Sequence, residues 1–316
     1  MFEYIAYFTG LFLGWSVGSN DSANMFGTAV ASRMVRFRTA ALLITVFVAI
    51  GAFLQGESGI HTVGNLGIST HRDLIICTFA AALAMTLMSI LKIPMSSSQM
   101  MIGAVIGLSI FTGTTKWAPV VKVLICWTIN PLGAMFISAG LYVLLARLIR
   151  WWHPNVFILD QVLRVGLLLC GCYGAYALGA NGVAIVCVPF IGEGELLIGP
   201  GHAQWAALLG GISIGIGAIT FSKPVMMTVG KGVVPLDGFT AFIAVFALAV
   251  TVHVFALLGV PVSTSQSIVG ALLGISLVKG FHIINIRVLL RILGWWCTAP
   301  FIAALTAICI YSLFRG

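Results

Sequence analysis

Two stretches of the chain nearly repeat each other, at residues 94–107 (PMSSSQMMIGAVIG) and 261–274 (PVSTSQSIVGALLG). They lie 167 residues apart in a chain of 316, so each occupies a matched place in one half. Both put hydroxyl and amide side chains inside a long apolar context, where polar groups are costly unless they line a cavity or a site. A costly feature that is built twice in this way is typical of a transporter with internal repeats.

The apolar context extends along the whole chain. Hydrophobic residues make up 60% of the sequence and charged residues 8%, and the mean hydropathy is +1.12. Soluble domains carry roughly 25% charged residues, so this chain lacks the polar surface that a soluble fold needs. Long apolar runs, such as 40–53 and 239–250, favour helices over the short alternating strands of a membrane β-barrel. We therefore expect an all-α polytopic membrane protein that crosses the cell membrane several times.

The basic residues do not indicate a nucleic-acid partner, although the formal net charge is +8. They are scattered in short loops and at helix ends, and Arg33, Arg36 and Arg38 form the tightest group. This distribution is typical of anchoring to the cytoplasmic leaflet of the bilayer. The seven cysteines and six histidines show no metal-ligand spacing. His253, inside an apolar run, is either a structural histidine or a proton relay.

The pattern of apolar segments in the first half of the chain repeats in the second half, after a short aromatic and basic link. We expect a first transmembrane repeat at 1–150, a linker at 151–158 and a second repeat at 159–316. Several segments are shorter than the roughly 20 residues that span a bilayer, so they are expected to be half-helices or re-entrant hairpins. Repeats with an odd number of crossings lie inverted in the membrane, and rocking of one half against the other then gives alternating access.

Helix interruptions are predicted at several places. Each half begins with an apolar helix that glycine and asparagine interrupt, at 18–24 and at 179–185. One helix is expected to end before Pro131, and the last segment is expected to split near Pro300.

The hairpins carry the chemistry of an anion site. Pro94 and Pro261 end the incoming helices, because proline lacks an N–H and restricts the residue before it. The Ser and Thr residues that follow are good N-caps, and the free N–H groups and positive dipole end of each outgoing helix attract anions. Hydroxyls and amides add donors around a tetrahedral oxyanion. Alternatively the hydroxyls only cap helices and the nearby glycines only pack; two copies in register favour the binding interpretation. The predicted anion-binding residues are Ser96, Ser97, Ser98, Gln99, Ser263, Thr264, Ser265, Gln266 and Asn181.

The first interrupted helix carries the chemistry of a cation site. Asp21 is the one acidic residue in a motif at plausible membrane depth, and a carboxylate in the bilayer is expected to be functional and paired. With Asn20 and Asn24 it offers the hard oxygen ligands that sodium needs, so Asp21 is a candidate sodium ligand; a proton site would use the same carboxylate. The structural alternative is that Asp21 caps the helix that follows. We expect no cofactor beyond a coupling sodium or proton.

These motifs resemble those of one family. Residues 18–30 (GSNDSANMFGTAV) closely resemble the G-x-N-D-x-A-N-x-x-G-T-A-V signature of the PiT inorganic phosphate transporters, and both hairpins resemble that family's P-V-S-T-T-H segments. Residues 225–231 (VMMTVGK) are similar to its V-x-x-T-x-G-K element. The resemblance implies an inverted-repeat symporter that binds phosphate between the hairpin helix ends and the Asn-Asp elements, with sodium or protons as the coupling ion.

Departures from the family pattern bear on the substrate. Gly182 stands where the second repeat of the family has an acid, and Ile185 stands where it has a second asparagine. Phosphate near neutral pH carries a proton and benefits from an acceptor, whereas sulfate has none to donate. Because Asp21 remains, phosphate is the first expectation and sulfate, which some relatives of the family carry, is the second.

Other classes of function stay open as alternatives. Re-entrant hairpins also build the selectivity filters of anion or water channels. An enzyme is poorly supported, since no Ser-His-Asp order, HExxH or paired carboxylates occur at catalytic spacing. The sequence leaves open the orientation of the termini and the oligomeric state, a homodimer included.

Overall fold

The computed structural model describes residues 2–31, 33–64, 68, 70–192, 195–196, 203–230, 237–280, 282 and 284–315. Over these residues the chain is almost entirely helical. The helices are α1 (Phe2–Asp21), α2 (Ala23–Ala31), α3 (Phe37–Gln55), α4 (Ile60–Gly64), α5 (His71–Ile90), α6 (Ser97–Thr112), α7 (Trp117–Trp152), α8 (Val156–Val186), α9 (Ala203–Phe221), α10 (Lys223–Gly230), α11 (Gly238–Leu257), α12 (Thr264–Lys279) and α13 (Ile286–Arg315). Two 3₁₀ turns, Gly56–Gly59 and Val188–Phe190, and a short antiparallel pair of strands, β1 (Ile191–Gly192) and β2 (Glu195–Leu196), complete the described part.

The fold is that of a multi-pass membrane protein, as the composition predicts. Seven of the described helices are long and apolar enough to cross a bilayer, namely α3, α5, α7, α8, α9, α11 and α13. Large apolar side chains such as Leu54, Phe136 and Leu305 are exposed on the outside of the bundle, which suits a surface that faces lipid rather than water. Ser, Thr, Asn and Gln side chains are instead found buried in the interior.

Each hairpin helix packs against the long helix that closes the other half. Helix α6 lies against α13, where a Cβ at Gly103 would fall 2.5 Å from Pro300 Cα. Helix α12 lies against α7, where a Cβ at Gly270 would fall 2.1 Å from the Pro131 carbonyl oxygen. Small residues allow this close approach of helix backbones, which supplies the packing that holds helices together in lipid. The two contacts occupy matched positions in the two halves.

The predicted interruptions near the prolines are wrong. Helix α7 runs through Pro131 and α13 runs through Pro300 without ending. A proline inside a helix removes one backbone hydrogen bond, but the glycine of the neighbouring hairpin helix packs directly on each proline turn. Tertiary packing therefore outweighs the local break signal.

The predicted interruption at 179–185 is also wrong. Helix α8 continues through Asn181 and Gly182 to Val186. A Cβ at Gly179 would lie 2.1 Å from the Val48 carbonyl oxygen, so this glycine serves the close packing of α8 on α3. The interruption in the first half is real, since α1 ends at Asp21 and α2 begins at Ala23.

The two helices that lead into the hairpins run in opposite directions. Helix α5 begins beside the end of α13, where Arg72 Nη2 donates a hydrogen bond of 2.6 Å to the Phe314 carbonyl oxygen. Helix α11 instead ends at the face where α5 begins. There the hydroxyl of Thr62, in α4 before α5, donates to the carbonyl oxygen of Gly259, just after α11, at 2.6 Å. This is the relation expected of inverted repeats, and the division into repeats at 1–150 and 159–316 stays a prediction. The connection between α7 and α8 is short, from His153 to Asn155.

Candidate substrate and ion site

Both hairpin helices begin with a serine cap deep in the protein. Ser96 has an extended backbone and its hydroxyl accepts a hydrogen bond from the Gln99 N–H at 3.2 Å. Ser263 does the same for the Gln266 N–H at 3.1 Å. The helices therefore start at Ser97 and Thr264. The N–H groups of the first two helical residues precede the first intrahelical bond, so they remain available to a ligand.

The interrupted helix of the first half brings its polar residues to these helix starts. The chain turns at Ser22, whose carbonyl oxygen accepts from the Met25 N–H at 3.2 Å. Asn24 Nδ2 donates to the hydroxyls of Thr264 and Ser265 at 3.0 and 3.1 Å. The Asp21 carboxylate accepts a hydrogen bond from the Ser97 hydroxyl, and the Thr264 hydroxyl of the other hairpin also faces it. One carboxylate thus faces both hairpins.

The two hairpins also contact each other directly. The Ser265 hydroxyl donates to the Met95 carbonyl oxygen at 2.8 Å. Ser96 and Ser98 exchange a hydrogen bond of 3.2 Å within the first hairpin. The structure therefore brings the predicted hairpin hydroxyls and Asp21 into one buried polar cluster.

Asn20 and Asn181 bind the backbone that precedes each helix start. Asn20 Oδ1 accepts from the Met95 N–H at 2.9 Å, and its Nδ2 donates to the Ile93 carbonyl oxygen and the Ser89 hydroxyl. Asn181 accepts from the Val262 N–H and donates to the Val262 carbonyl oxygen, both at 2.9 Å. In this conformation both amides position the hairpins, and their predicted contacts with the ion or the anion stay predictions.

Several buried oxygens in this cluster have no hydrogen-bond partner within the described part of the chain. Three follow one stripe of the interrupted helix: Asp21 Oδ1, Asn24 Oδ1 and Thr28 Oγ1. The other two are the side-chain oxygens of Gln99 and Gln266, at matched positions in the two hairpins. Buried polar atoms without partners are rare, because each costs about 1–3 kcal/mol. Their concentration here indicates a site built for a ligand.

The Asp21 carboxylate also has no cationic partner among the described residues. The ion pairs found there are Arg164–Asp160 and Lys279–Asp237, both at helix ends. A buried ionised carboxylate is very unfavourable unless a cation or a proton compensates its charge. The unpaired oxygens around Asp21 are hard ligands, of the kind that suits sodium, and the same carboxylate would suit a proton.

The structure adds residues that sequence reasoning missed. Asn130 holds the second hairpin, since its Nδ2 donates to the Ser263 carbonyl oxygen at 2.9 Å and its Oδ1 accepts from the Ser267 hydroxyl at 2.7 Å. Thr28 contributes one of the unpaired oxygens. The available signal for Asn130 was a buried amide in an otherwise apolar helix, which is costly in lipid.

Two motif residues singled out in the sequence lie away from this cluster. His253 bonds the Tyr173 hydroxyl through Nδ1 and Gln55 Oε1 through Nε2, each at 2.7 Å. This arrangement joins α11, α8 and α3 and fits the structural interpretation of the histidine.

Thr228, from the element at 225–231, lines a cavity that reaches the cluster at Asn24 and Ser265. Lys231 of the same element lies outside the described residues.

Comparison with known proteins agrees with this architecture. A family model described as the phosphate transporter family matches residues 17–307. A protein of Methanocaldococcus jannaschii named as a candidate phosphate permease is 32% identical over 303 residues, which cover 95% of this chain and 93% of that protein. The sulfate permease of Bacillus subtilis is 26% identical over 321 residues, which cover 99% of this chain and 88% of that protein.

A solved structure shares the fold. It is named as the sodium-dependent phosphate transporter and superposes with a TM-score of 0.85 at 21% identity, covering 99% of both chains. The family and this structural neighbour are transporters and not enzymes. Because the family model spans most of the chain and both halves of the polar cluster, the chain belongs to the phosphate transporter family.

Proposed function

We propose that the protein is a secondary active transporter that moves a tetrahedral inorganic oxyanion, phosphate first, together with a coupling cation. One observation carries the proposal. An unpaired buried carboxylate, Asp21, lies directly beside the N-termini of two helices, α6 and α12. The same small space therefore offers oxygen ligands to a cation and N–H donors to an anion. Binding of the two ions together offsets the cost of burying either charge alone.

The hairpin helix starts supply the anion half of the site. Ser97, Ser98, Thr264 and Ser265 stand in the first turns of α6 and α12, where the backbone N–H groups and the helix dipoles favour an anion. Gln99 and Gln266 add side-chain amides from both hairpins. Two helix starts that converge on one point suit an oxyanion whose oxygens point in several directions.

The interrupted helix supplies the cation half. Asp21 and Asn24 offer unpaired oxygens, and Thr28 adds a third one turn further along α2. Sodium is the first candidate for the coupling ion because all three ligands are hard oxygens. The structural neighbour, which is named as sodium-dependent, supports the same choice. A proton on Asp21 is the alternative.

The choice between phosphate and sulfate depends on the acceptor that faces the anion. Asp21 favours phosphate, since a carboxylate can accept the proton that phosphate carries near neutral pH. Gly182 favours sulfate as the second candidate, because it leaves the second half without a carboxylate at the matched position. The relatives named for phosphate and for sulfate span nearly the whole chain in both cases.

Alternating access completes the proposal. Each hairpin helix packs on the closing helix of the other half, so a rocking motion that opens the site to each side in turn has to carry each hairpin together with its partner helix. Asp21 faces both hairpins, through the hydroxyls of Ser97 and Thr264, and ions bound at Asp21 would couple the positions of the two halves.

The test is uptake of ³²P-phosphate and of ³⁵S-sulfate into proteoliposomes, with an imposed sodium gradient, an imposed proton gradient or neither. We expect one anion to accumulate above its external concentration only when a cation gradient is present. Asp21→Asn should abolish the dependence on that gradient. Equilibration without accumulation at zero membrane potential would instead identify a channel.

A further inference from the structure

A cavity of about 1060 Å³ connects the polar cluster to one face of the protein. It reaches the cluster at Asn24 and Ser265. Three basic residues line it: Lys92 follows α5, Lys223 begins α10 and Arg291 stands near the start of α13. No carboxylate is found among the described residues that line this cavity. The charge along the route is therefore of one sign.

None of the three basic side chains forms an ion pair with an acid in the described part of the chain. The ion pairs of the described chain involve other residues. Lys223 Nζ lies 5.8 Å from the centre of the Phe37 ring, which leaves its charge in place. A cleft with apolar walls and charges of one sign focuses the electric field and concentrates ions of the opposite sign. The remaining lining is mostly apolar, with residues such as Ile268 and Trp295.

The cavity opens on the cytoplasmic face by the positive-inside rule. Helix α5 begins, and α13 ends, at the face where Arg72 bonds Phe314, here called the face of the termini. The end of α5, near Lys92, and the start of α13, near Arg291, therefore lie at the opposite face, where the cavity opens. Most described basic residues are at that opposite face, whereas few lie towards the face of the termini. The cavity face also carries Arg33, Arg36, Arg38, Arg147, Arg150, Arg164, Lys279 and Arg287, and the other face carries Arg72, Lys116, Lys122 and Arg315.

We propose that this cavity is a cytoplasmic vestibule with a second anion site, in which Lys92, Lys223 and Arg291 hold the oxyanion between the buried cluster and the cytoplasm. The inference rests on the proposed function, since it takes the transported ion to be an oxyanion. Lys92 lies in the connection between α5 and α6, and Lys223 and Arg291 lie outside both hairpins. Its selectivity is for charge, whereas the buried cluster selects for shape.

The vestibule makes the transporter asymmetric. When the cavity is open, its cations raise the rate at which a cytoplasmic anion reaches the buried cluster, and such focusing changes association rates by roughly 10- to 1,000-fold. The anion therefore binds more strongly from the cytoplasm than the cluster alone would allow. An accumulated cytoplasmic anion would then rebind readily and slow further uptake.

The experiment compares transport from the two faces. Initial rates of ³²P-phosphate and ³⁵S-sulfate entry are measured in right-side-out and in inside-out membrane vesicles, for the wild type and for the triple variant Lys92→Gln/Lys223→Gln/Arg291→Gln. We expect the triple variant to raise KM at the cytoplasmic face on the order of tenfold. KM at the external face should stay within about twofold of wild type, because the vestibule does not serve that route.

Two matched variants separate the vestibule from general charge effects. Arg38→Gln/Arg147→Gln/Arg150→Gln removes the same charge from the same face but outside the cavity, and should keep the wild-type KM. Lys92→Arg/Lys223→Arg/Arg291→Lys retains the charge and should also keep it. This variant shows as well that the three positions tolerate substitution.

Two results would overturn the inference while leaving the proposed function in place. One is anion transport with an unchanged cytoplasmic KM in the neutral triple variant. The other is an equal rise in KM in both charge-removing variants, which would assign the effect to the surface potential. If the wild type carries neither anion, the proposed function is wrong and the vestibule inference falls with it.

Discussion

Asn20 and Asn181 make the same hydrogen bond in the two halves of the protein. Each side-chain oxygen accepts the N–H of the residue after the hairpin proline, Met95 or Val262, at 2.9 Å in both cases. Both asparagines are buried, so water cannot replace their side chains as hydrogen-bond partners of the hairpin backbone. The hairpin backbone before each helix start is thereby fixed, and with it the direction in which the helix N–H groups point.

Replacement of either asparagine by alanine should therefore destabilise the protein. Asn20→Ala and Asn181→Ala leave buried backbone groups unpaired, at a cost of about 1–3 kcal/mol each. We expect melting temperatures in detergent to fall by several degrees, since 1 kcal/mol corresponds to roughly 2–4 °C in chains of 150–250 residues. Asn155→Ala, which removes an exposed helix cap, is the control and should have a smaller effect. Equal melting temperatures for all three variants would contradict the anchoring role.

Removal of a hairpin hydroxyl should weaken anion transport more than it weakens folding. Ser97→Ala and Thr264→Ala delete the hydroxyls that face Asp21 from the two hairpins. We expect the KM for anion uptake to rise by about 10- to 150-fold, because loss of one hydrogen bond to a charged group costs about 1.5–3 kcal/mol. The measurement is uptake into proteoliposomes at saturating sodium.

The control for this pair is a hydroxyl on the exposed side of α7. Thr128→Ala removes a hydroxyl that bonds only its own helix, at the Leu124 carbonyl oxygen, and should leave KM unchanged. Wild-type uptake in both Ser97→Ala and Thr264→Ala would contradict the assignment of the helix starts to the anion-binding half of the site.

An acidic residue outside the membrane-spanning helices gives a pH-dependent contribution to stability. Burial by itself raises the pKa of Asp237, but hydrogen bonds from the Thr240 N–H and hydroxyl, with the Lys279 ammonium, outweigh burial and hold this pKa below its ordinary value. A carboxyl with a lowered pKa stabilises the folded state above its unfolded pKa, and this contribution is lost as the pH falls through the folded pKa.

Asp237→Ala should therefore lower the melting temperature near neutral pH, and this effect should shrink as the pH falls through the lowered folded pKa, where the wild-type carboxyl also becomes protonated. The measurement is the difference in melting temperature between variant and wild type across this range. Asp160→Ala, which breaks an exposed pair with Arg164, serves as the comparison and should change little. A difference that stays constant with pH would contradict a contribution from the charged carboxyl.

Local rules predicted the parts of the site that depend on neighbours in sequence. The prolines at 94 and 261 and the hydroxyl residues after them predicted the hairpins and their serine caps, because capping is decided within one turn. The interruption around Ser22 was predicted from the glycine and asparagine residues at 18–24. These features also carried the resemblance to the family that the comparisons confirm.

Tertiary packing decided the parts that local rules predicted wrongly. Pro300 and Gly182 are both break signals, yet α13 and α8 continue through them, since a partner helix packs closely in each region. Asn130 was missed because its hydrogen-bond partner Ser263 lies 133 residues away in sequence. No pattern within one segment reports a contact of that kind.

Close helix packing at the hairpins should be intolerant of even one added methyl group. At Gly103 a Cβ would lie 2.5 Å from Pro300 Cα, which is backbone and cannot move aside without shifting α13. We expect Gly103→Ala to destabilise the protein by about 1–3 kcal/mol, as overpacking usually does. Gly294→Ala is the matched control on the same helix pair, since a Cβ there meets nothing within 4 Å. Melting temperatures in detergent should thus fall for Gly103→Ala and stay near wild type for Gly294→Ala, and equal values for the two variants would show that α6 and α13 do not depend on this contact.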